Sequence, residues 1–165
     1  MKRYLVIGNP IEHSLSPKLH NYWFEKNSID ANYDKRKINK SEIQEVISEI
    51  RDNKLDGINV TVPFKSEVIP FLDAISEESQ ITKSVNTICL QDKKIVGHNT
   101  DIKGFELSLR ETKFILKNKK IFILGAGGVV PSIIYALEKL GVSKIVVSNR
   151  TKKKTENLKK NFSNI

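Results

Sequence analysis

The polar side chains with the clearest chemical use lie in the stretch Gly57–Lys65. Asn59 and Thr61 alternate there with apolar residues, which is the period-two pattern of a β-strand with one polar face. Pro63 has no N–H to donate, so the strand ends before it. Lys65 then lies just past the carboxyl end, where α/β sheets bind their ligands. An amide, a hydroxyl and an amine at one strand end predict a site for a polar ligand; the alternative is a core strand whose polar side faces water.

Two further groups of polar residues could complete such a site. Ser14 and Ser16 lie in a turn before a predicted helix, where hydroxyls and N–H groups can hold a carboxylate, although an isolated pair of this kind more often only caps the helix. Asn86 lies within a predicted strand, and Asn99-Thr100-Asp101 ends the strand after it. Buried polar groups need hydrogen-bond partners, and a polyhydroxylated ligand would supply several.

A glycine turn between a predicted strand and a predicted helix has the pattern of a dinucleotide-binding site. Gly125 permits the tight turn, and Gly127 lets the backbone approach a pyrophosphate at the helix N-terminus, where free N–H groups and the helix dipole favour anions. Val130 replaces the usual small residue at the sixth position, so close packing of the helix on the strand is harder. The pattern favours cofactor binding over an ordinary tight turn.

The exit of the next predicted strand indicates which dinucleotide is bound. An NAD site would have an acidic residue there to hold the ribose 2′-hydroxyl, but this chain has Asn149-Arg150-Thr151. Arg150 can pair with a 2′-phosphate, and Thr151 can donate a hydrogen bond to it. NADP is therefore expected; the alternative is a solvated basic helix start made by Lys152–Lys154.

Composition limits the class of protein. The chain has 165 residues, 39% of them hydrophobic and 28% charged, which is typical of a soluble globular protein with one domain or two small ones. No apolar run is long enough to span a bilayer, and the N-terminus enters a strand without a signal-peptide pattern. Cys89 is the single cysteine and has no partner for an internal disulfide. A cytoplasmic protein with no membrane partner is therefore expected.

The net charge of +9 would suit a nucleic-acid partner. However, residues 142–165 alone supply +6, and the basic residues are 23 Lys against 5 Arg, although Arg makes the better phosphate and base contacts. A lysine-rich solvated face is favoured, and no nucleic-acid partner is expected. His13, His20 and His98 have no Cys or carboxylate at metal-ligand spacing, so no metal is expected either.

Hydrophobic periodicity predicts the elements that position these residues. Strands are predicted over residues 3–8, 31–38, 57–62, 84–90, 94–97, 119–124 and 144–148, and helices over 42–51, 102–112, 129–140 and 152–161. An additional first helix would begin after Ser16 as N-cap, and Ser41 would cap the next one. The buried face of the first helix would be formed by Leu19, Tyr22 and Trp23, with Phe24 as a further candidate. The alternation indicates an α/β fold with parallel sheets, with the fourth and fifth strands as a hairpin.

Taken together, six motifs, by their order and spacing, resemble the shikimate dehydrogenase family over essentially the whole chain. They are Ser14-Leu15-Ser16-Pro17, Asn59-Val60-Thr61-Val62-Pro63-Phe64-Lys65, Val85-Asn86-Thr87, Asn99-Thr100-Asp101, Gly125-Ala126-Gly127-Gly128 and Asn149-Arg150-Thr151. The resemblance implies an α/β fold with two lobes: a shikimate-binding catalytic domain over residues 1–101 and an incomplete Rossmann-like NADP-binding domain over residues 102–165. It also implies NADPH-dependent reduction of 3-dehydroshikimate to shikimate, in the chorismate and aromatic amino-acid pathway.

The resemblance also implies roles for individual residues. Ser14 and Ser16 would hold the substrate carboxylate, and Lys65 and Asp101 would form the catalytic pair and contact the substrate. The residues that contact the substrate hydroxyls would be Asn59, Thr61, Asn86 and Asp101. The cofactor-binding residues would be Glu77, Gly125, Ala126, Gly127, Gly128, Val129, Asn149, Arg150 and Thr151.

The chemistry of the catalytic pair agrees with the implied reaction. Reduction of a ketone by hydride builds negative charge on the oxygen, which then needs a proton donor. Lys65 beside Asp101 would remain an ammonium near neutral pH, because an opposite charge favours the charged form. It would protonate the forming alkoxide and, in the reverse direction, accept the proton of the alcohol.

The chain departs from the family pattern in two ways. Family chains are longer, so the nucleotide-binding sheet is expected to be incomplete and turnover by this chain is an open question. In addition, Pro131 stands where many relatives have a basic residue. The alternatives are a shikimate-binding module without turnover and a quinate/shikimate dehydrogenase, whose preference for NAD is disfavoured by Arg150. A monomer or a homodimer is expected.

Overall fold

The computed structural model describes residues 1–162 and 165, which form eight strands and six α-helices. The strands are β1 (Lys2–Gly8), β2 (Ala31–Lys37), β3 (Gly57–Val60), β4 (Ala74–Ile75), β5 (Thr87–Gln91), β6 (Lys94–His98), β7 (Lys120–Leu124) and β8 (Lys144–Ser148). The helices are α1 (Ser16–Lys26), α2 (Ile43–Arg51), α3 (Glu77–Thr82), α4 (Asp101–Glu111), α5 (Val130–Lys139) and α6 (Lys152–Lys159), and two short 3-10 helices span Lys40–Glu42 and Ile69–Phe71.

The chain forms two compact units. The first consists of Met1–Ser79 and Val85–His98, and the second of Gln80–Ser84 and Asn99–Ile165. The α/β class is confirmed. No helix among the residues that the structure describes has both the length and the apolar character needed to cross a membrane.

The first unit is built on a six-stranded sheet with the order β2-β1-β3-β5-β6-β4. Strands β2, β1 and β3 are parallel, as the alternation of strands and helices predicted, whereas β5 is antiparallel to both β3 and β6. The β5–β6 pair is the predicted hairpin. Its turn holds Asp92 and Lys93 at φ of 48° and 64°, as a tight two-residue hairpin turn requires.

One face of this sheet carries the core of the first unit. Ile7, Ile58 and Ile88 lie on neighbouring strands and are buried against α2. The residues that α2 buries are Ile43, Val46, Ile47 and Ile50, the stripe that helical spacing predicts. Ser41 is not its cap, because the 3-10 helix Lys40–Glu42 precedes α2 and the backbone N–H of Asn39 donates to Glu42 Oε2 at 2.7 Å.

Helix α1 differs most from its prediction. Tyr22 is 55% exposed and Trp23 46%, and Leu19 is equally exposed, so none of the three is a core residue. The helix meets the sheet through Phe24 and through polar residues, because the core on this face is small and consists of Val6, Ile11 and Tyr33. The N-cap is Leu15 rather than Ser16, and Ser16 is already helical.

The second unit contains the parallel pair β7–β8, which packs on one side against α5. Ile134, Leu137 and Ile145 are buried there, together with Leu158 of α6. The opposite side of the strand pair carries exposed apolar side chains, of which Leu124 is 83% exposed. A strand, glycine turn, helix and strand therefore follow one another as the sequence pattern predicts.

Candidate active site

A cleft of about 240 Å³ opens in the first unit where β1 and β3 end. Three predicted substrate-binding residues, Ser14, Ser16 and Thr61, line this cleft together. The remaining lining residues are Val6, Pro10, Ile11 and His13. The structure thus places a hydroxyl from the turn before α1 and one from the first residue of α1 beside a hydroxyl from the end of β3. His13, for which the sequence favoured a surface position over a place in the substrate turn, also lies in this lining.

Thr61 is held by backbone pairing that continues past the end of β3. The strand ends at Val60 rather than at residue 62 as predicted, yet the N–H of Thr61 still donates to the carbonyl of Ile7 at 2.9 Å. The N–H of Asn9 in turn donates to the carbonyl of Val62 at 3.0 Å. Gly8 allows this close approach, because a Cβ there would lie 2.5 Å from Thr61 Cγ2.

Two hydrogen bonds hold the segment that carries Ser14 and Ser16. The N–H of Ser14 donates to the carbonyl of Ile11 at 3.0 Å, which closes the turn. The N–H of Ser16 donates to Ser14 Oγ at 3.3 Å. Since Ser14 Oγ accepts this bond, the proton of its hydroxyl is available to a ligand carboxylate.

Asn59 lies half-buried at the centre of a polar network that the sequence predicted only in part. Its Nδ2 donates to the carbonyl of Asn86 at 3.1 Å and to Thr87 Oγ1 at 3.0 Å, and the Tyr33 hydroxyl donates to its Oδ1 at 2.6 Å. The Thr87 hydroxyl donates to Asn86 Oδ1 at 3.1 Å. No role in the site was predicted for Tyr33 or Thr87, although both lie in predicted strands, where successive side chains point to opposite faces of the sheet.

Asn86 and Lys65 belong to the same unit and are placed by the backbone. Asn86 precedes β5, and its carbonyl accepts from the N–H of Val60 at 2.9 Å, while its own N–H donates to the carbonyl of His98 at 2.9 Å. Lys65 lies half-buried in the turn after β3, and its carbonyl accepts from the N–H of Val85 at 2.8 Å. These bonds hold the residue-85 region beside the end of β3.

Asp101 lies in the second unit and is the first residue of α4. Its N–H donates to Asn99 Oδ1 at 3.2 Å, and a carboxylate in the first helical turn is favoured by the helix dipole. Asn99 is buried and donates to Thr82 Oγ1 at 3.1 Å and to Ser132 Oγ at 2.9 Å. The expectation that a ligand would supply partners for this motif is therefore wrong for Asn99, because protein groups satisfy its amide and join α3, α4 and α5.

The glycine turn of the second unit has the predicted backbone. Gly125 has a φ of +113°, a conformation that favours glycine, and its N–H donates to the carbonyl of Ser148 at 2.7 Å. A Cβ on Gly127 or Gly128 would meet no protein atom within 4 Å. Packing within the chain therefore does not require glycine at these two positions, and the space above them is open to a ligand.

Asn149 braces this turn rather than facing outward. Its Oδ1 accepts from the N–H of Ala126 at 3.2 Å, and its Nδ2 donates to the carbonyl of Thr151 at 3.0 Å. The carboxamide thus joins the glycine turn to the exit of β8. Arg150 and Thr151 are exposed beside it.

The charges around the glycine turn suit an anion. Helix α5 begins after Val129 with no side-chain cap and no acidic residue in its first turn, so no carboxylate offsets the positive end of its dipole. The N–H of Val130 donates to the carbonyl of Gly127 at 3.0 Å. Pro131 occupies one of the first two helical positions, so no basic side chain is supplied there. The basic run Lys152–Lys154 begins α6. Glu77, predicted as a cofactor contact, is exposed and begins α3.

Metal-ligating residues do not cluster in the part of the chain that the structure describes. No group of three or more His, Cys, Asp or Glu side chains there could hold a metal ion. The polar side chains that line the cleft are the hydroxyls of Ser14, Ser16 and Thr61 and the imidazole of His13.

A hydroxyl-lined cleft at the ends of parallel strands and a strand–glycine–helix turn define a class, the two-unit α/β proteins of dehydrogenase type. A family model described as shikimate dehydrogenase substrate binding domain matches residues 6–88, and a second, described as shikimate / quinate 5-dehydrogenase, matches residues 107–165. The chain belongs to the shikimate dehydrogenase family.

Individual relatives agree with this assignment. The chain is 58% identical over 164 residues to a shikimate dehydrogenase (NADP(+)) of Pelagibacter ubique strain HTCC1062, an alignment that covers 99% of this chain and 62% of that protein. It superimposes on the crystal structure of shikimate dehydrogenase from Aquifex aeolicus with a TM-score of 0.92 at 40% identity, covering 98% and 60% of the two chains.

A third relative is a complex. Shikimate 5-dehydrogenase from Thermus thermophilus in complex with NADP(H) and shikimate matches with a TM-score of 0.88 at 31% identity, covering 98% of this chain and 60% of that one. The chain thus spans about 60% of the length of the relatives it matches.

Proposed function

We propose that this protein catalyses the reversible NADPH-dependent reduction of 3-dehydroshikimate to shikimate, in the chorismate and aromatic amino-acid pathway. The observation that carries the proposal is the cleft that joins Ser14, Ser16 and Thr61 in a member of this family. A small polyhydroxylated carboxylate matches a cleft whose polar lining consists of three hydroxyls and the imidazole of His13.

Substrate binding divides between two sets of polar groups. Ser14 and Ser16 would hold the carboxylate, because the Ser14 hydroxyl proton is not used within the turn. The ring hydroxyls of the substrate would contact Asn59 and Thr61, which lie at the carboxyl end of β3, and Asn86, which lies just before β5. Lys65 and Asp101 would complete this set of contacts.

Lys65 would carry the proton chemistry. Its ammonium would donate a proton to the oxygen that becomes an alkoxide, and Asp101 would be the second member of the catalytic pair. In the reverse direction, the neutral amine would accept the proton of the alcohol.

The residues of the second unit fit NADP. The positive φ of Gly125 and the open space above Gly127 and Gly128 would admit a pyrophosphate, and the cofactor-binding set would also include Ala126, Val129 and Glu77. Arg150 and Thr151 would hold the 2′-phosphate, with Asn149 bracing the turn. When bound, NADPH supplies the hydride.

The two predicted domains would bind substrate and cofactor, respectively. Residues 1–101 would form the shikimate-binding catalytic domain, and residues 102–165 would form part of the NADP-binding domain. We expect a cytoplasmic protein that acts as a monomer or a homodimer and binds small molecules only.

Thermal unfolding with added ligands tests the proposal. A ligand that binds the native state raises the Tm, so shikimate and NADP should each raise it, while quinate and NAD should do so less. An absorbance assay at the band of the reduced nicotinamide then measures turnover. A shift with shikimate alone, without turnover, would show a binding module, and an equal response to NAD and quinate would show the quinate/shikimate enzyme. A shift with DNA that weakens steeply with salt, and none with shikimate, would contradict the proposal.

A further inference from the structure

Tyr33 is a buried tyrosine whose hydroxyl reaches the predicted substrate site. Its side chain is 4% exposed, and its backbone is fixed by Asn21 of α1, which donates to the carbonyl of Tyr33 at 2.8 Å and accepts from its N–H at 2.9 Å. The ring stacks on that of His20, with centroids 4.2 Å apart and an interplanar angle of 4°. The phenol is thereby held at a defined position above the sheet.

The hydroxyl of Tyr33 joins two predicted substrate-binding residues. It donates to Asn59 Oδ1 at 2.6 Å and also interacts with the Ser16 side chain. Burial raises the pKa of Tyr33, and the hydrogen bond with Ser16 opposes this effect, as expected when the serine donates to the phenol oxygen. A chain of hydrogen bonds therefore runs from Tyr33 through Asn59 to Thr87 Oγ1, with Ser16 near its start.

This chain determines what Asn59 can offer a ligand. The group that faces the backbone carbonyl of Asn86 must be Nδ2, since that carbonyl can only accept, so Oδ1 is the atom that faces Tyr33. Both Nδ2 protons are used, on Asn86 and on Thr87 Oγ1, and one lone pair of Oδ1 is used by Tyr33. What remains is a single acceptor position, which suits a ligand hydroxyl and not a ligand carbonyl.

We propose that Tyr33 is a positioning residue of the shikimate site: its hydroxyl orients the carboxamide of Asn59 as a hydrogen-bond acceptor. This inference rests on the proposed function for the identity of the ligand. Tyr33 acts through Asn59 and is not assigned a contact with the substrate. The ring supports the fold through burial and stacking, whereas the hydroxyl serves the site.

The variant Tyr33→Phe separates these two roles, because it keeps the ring and removes only the hydroxyl. We expect shikimate to bind about tenfold more weakly, since the hydrogen bond that orients Asn59 is lost, and NADP affinity to stay unchanged. In an Asn59→Ala background the same substitution should change shikimate affinity less than about twofold, because residues in one network are coupled. Tyr4→Phe is the matched control, since Tyr4 is the register neighbour of Tyr33 on β1 and lies outside the cleft lining.

A measurement on the protein without ligand tests the role of Tyr33 independently of the proposed function. The side-chain amide signals of Asn59, assigned in ¹H–¹⁵N spectra by their loss in Asn59→Ala, should shift in Tyr33→Phe and not in Tyr4→Phe. Unchanged Asn59 signals, or equal losses of shikimate affinity from Tyr33→Phe in the wild-type and Asn59→Ala backgrounds, would overturn the positioning role. Shifted Asn59 signals in a protein that binds no shikimate would support the orientation of Asn59 by Tyr33 and would overturn the proposed function instead.

Discussion

Gly8 and Thr61 approach so closely that a Cβ on Gly8 would lie 2.5 Å from Thr61 Cγ2. The same Cβ would be 3.1 Å from the backbone carbonyl oxygen of Val62 and 3.0 Å from Cδ1 of the buried Ile11. The absence of a side chain on β1 thus sets the position of a hydroxyl on the neighbouring strand end. The packing of Gly8 against the end of β3 therefore affects the position of a predicted ligand-binding hydroxyl, that of Thr61.

The substitution Gly8→Ala is therefore expected to act on both stability and binding. Overpacking of this kind costs about 1–3 kcal/mol in the free energy of unfolding, and Thr61 must move to relieve it. Chemical denaturation should show the loss of stability, and shikimate should bind more weakly to the variant. Gly104→Ala is the matched control, because a Cβ there meets nothing within 4 Å and lies within α4, so it should stabilise by about 0.5–1 kcal/mol. A stable Gly8→Ala variant with wild-type affinity would contradict this account.

Arg150 is expected to select NADP over NAD. Replacing it with alanine removes a charged partner of the 2′-phosphate, and hydrogen bonds to charged groups are worth about 1.5–3 kcal/mol, or roughly 10- to 100-fold in affinity. The Kd for NADP should rise by that factor, while the Kd for NAD should change little because NAD has no such phosphate. Arg110→Ala, an exposed arginine on α4, is the control for loss of charge. Equal losses of affinity for NADP and NAD would show that Arg150 does not select between the two nucleotides.

Glu12, in the turn that leads to Ser14, gives a prediction about pH. Hydrogen bonds from its own backbone N–H, from Lys37 and from the N–H of Ile11 lower its pKa from 4.5 to about 2. A carboxyl whose pKa is lower in the folded state contributes stability that is present above its ordinary pKa and is lost as the pH falls toward the folded value. The Tm of the wild type should therefore fall between about pH 5 and pH 2 more steeply than that of Glu12→Gln.

The Lys37→Met variant separates the causes of this effect. Lys37 Nζ lies 3.1 Å from Glu12 Oε1, whereas the backbone donors remain in the variant. Lys37→Met should reduce the pH dependence of the Tm in part, and Glu12→Gln should reduce it more. Parallel pH curves for the wild type and Glu12→Gln would show that this carboxyl does not stabilise the turn.

Local pattern predicted those parts of the fold in which neighbouring residues decide the structure. The apolar stripe of α2 was predictable because four residues at helical spacing leave one buried face. The β5–β6 hairpin and the glycine turn were predictable because tight turns need particular backbone conformations. The antiparallel pairing of β5 with β3 was not predictable, because strand order depends on contacts between distant segments.

Burial and hydrogen bonding over long range account for the remaining differences. The spacing of Leu19, Tyr22 and Trp23 indicates an apolar face, but not whether anything covers it, and all three are exposed. Asn99 is a candidate ligand contact until its partners, Thr82 and Ser132, are known. No local pattern brings the Tyr33 hydroxyl to Asn59, a residue 26 positions away on another strand.

The most direct test of the proposed chemistry is the turnover of Lys65→Ala, measured as oxidation of shikimate at the reduced-nicotinamide absorbance band. Loss of a general acid–base group should lower kcat by at least about a hundredfold, while the Kd for shikimate, measured separately, should change far less. Lys144→Ala, an exposed lysine that begins β8, should keep wild-type kinetics. A Lys65→Ala enzyme that turns over at the wild-type rate would contradict the assignment of the proton transfer to Lys65.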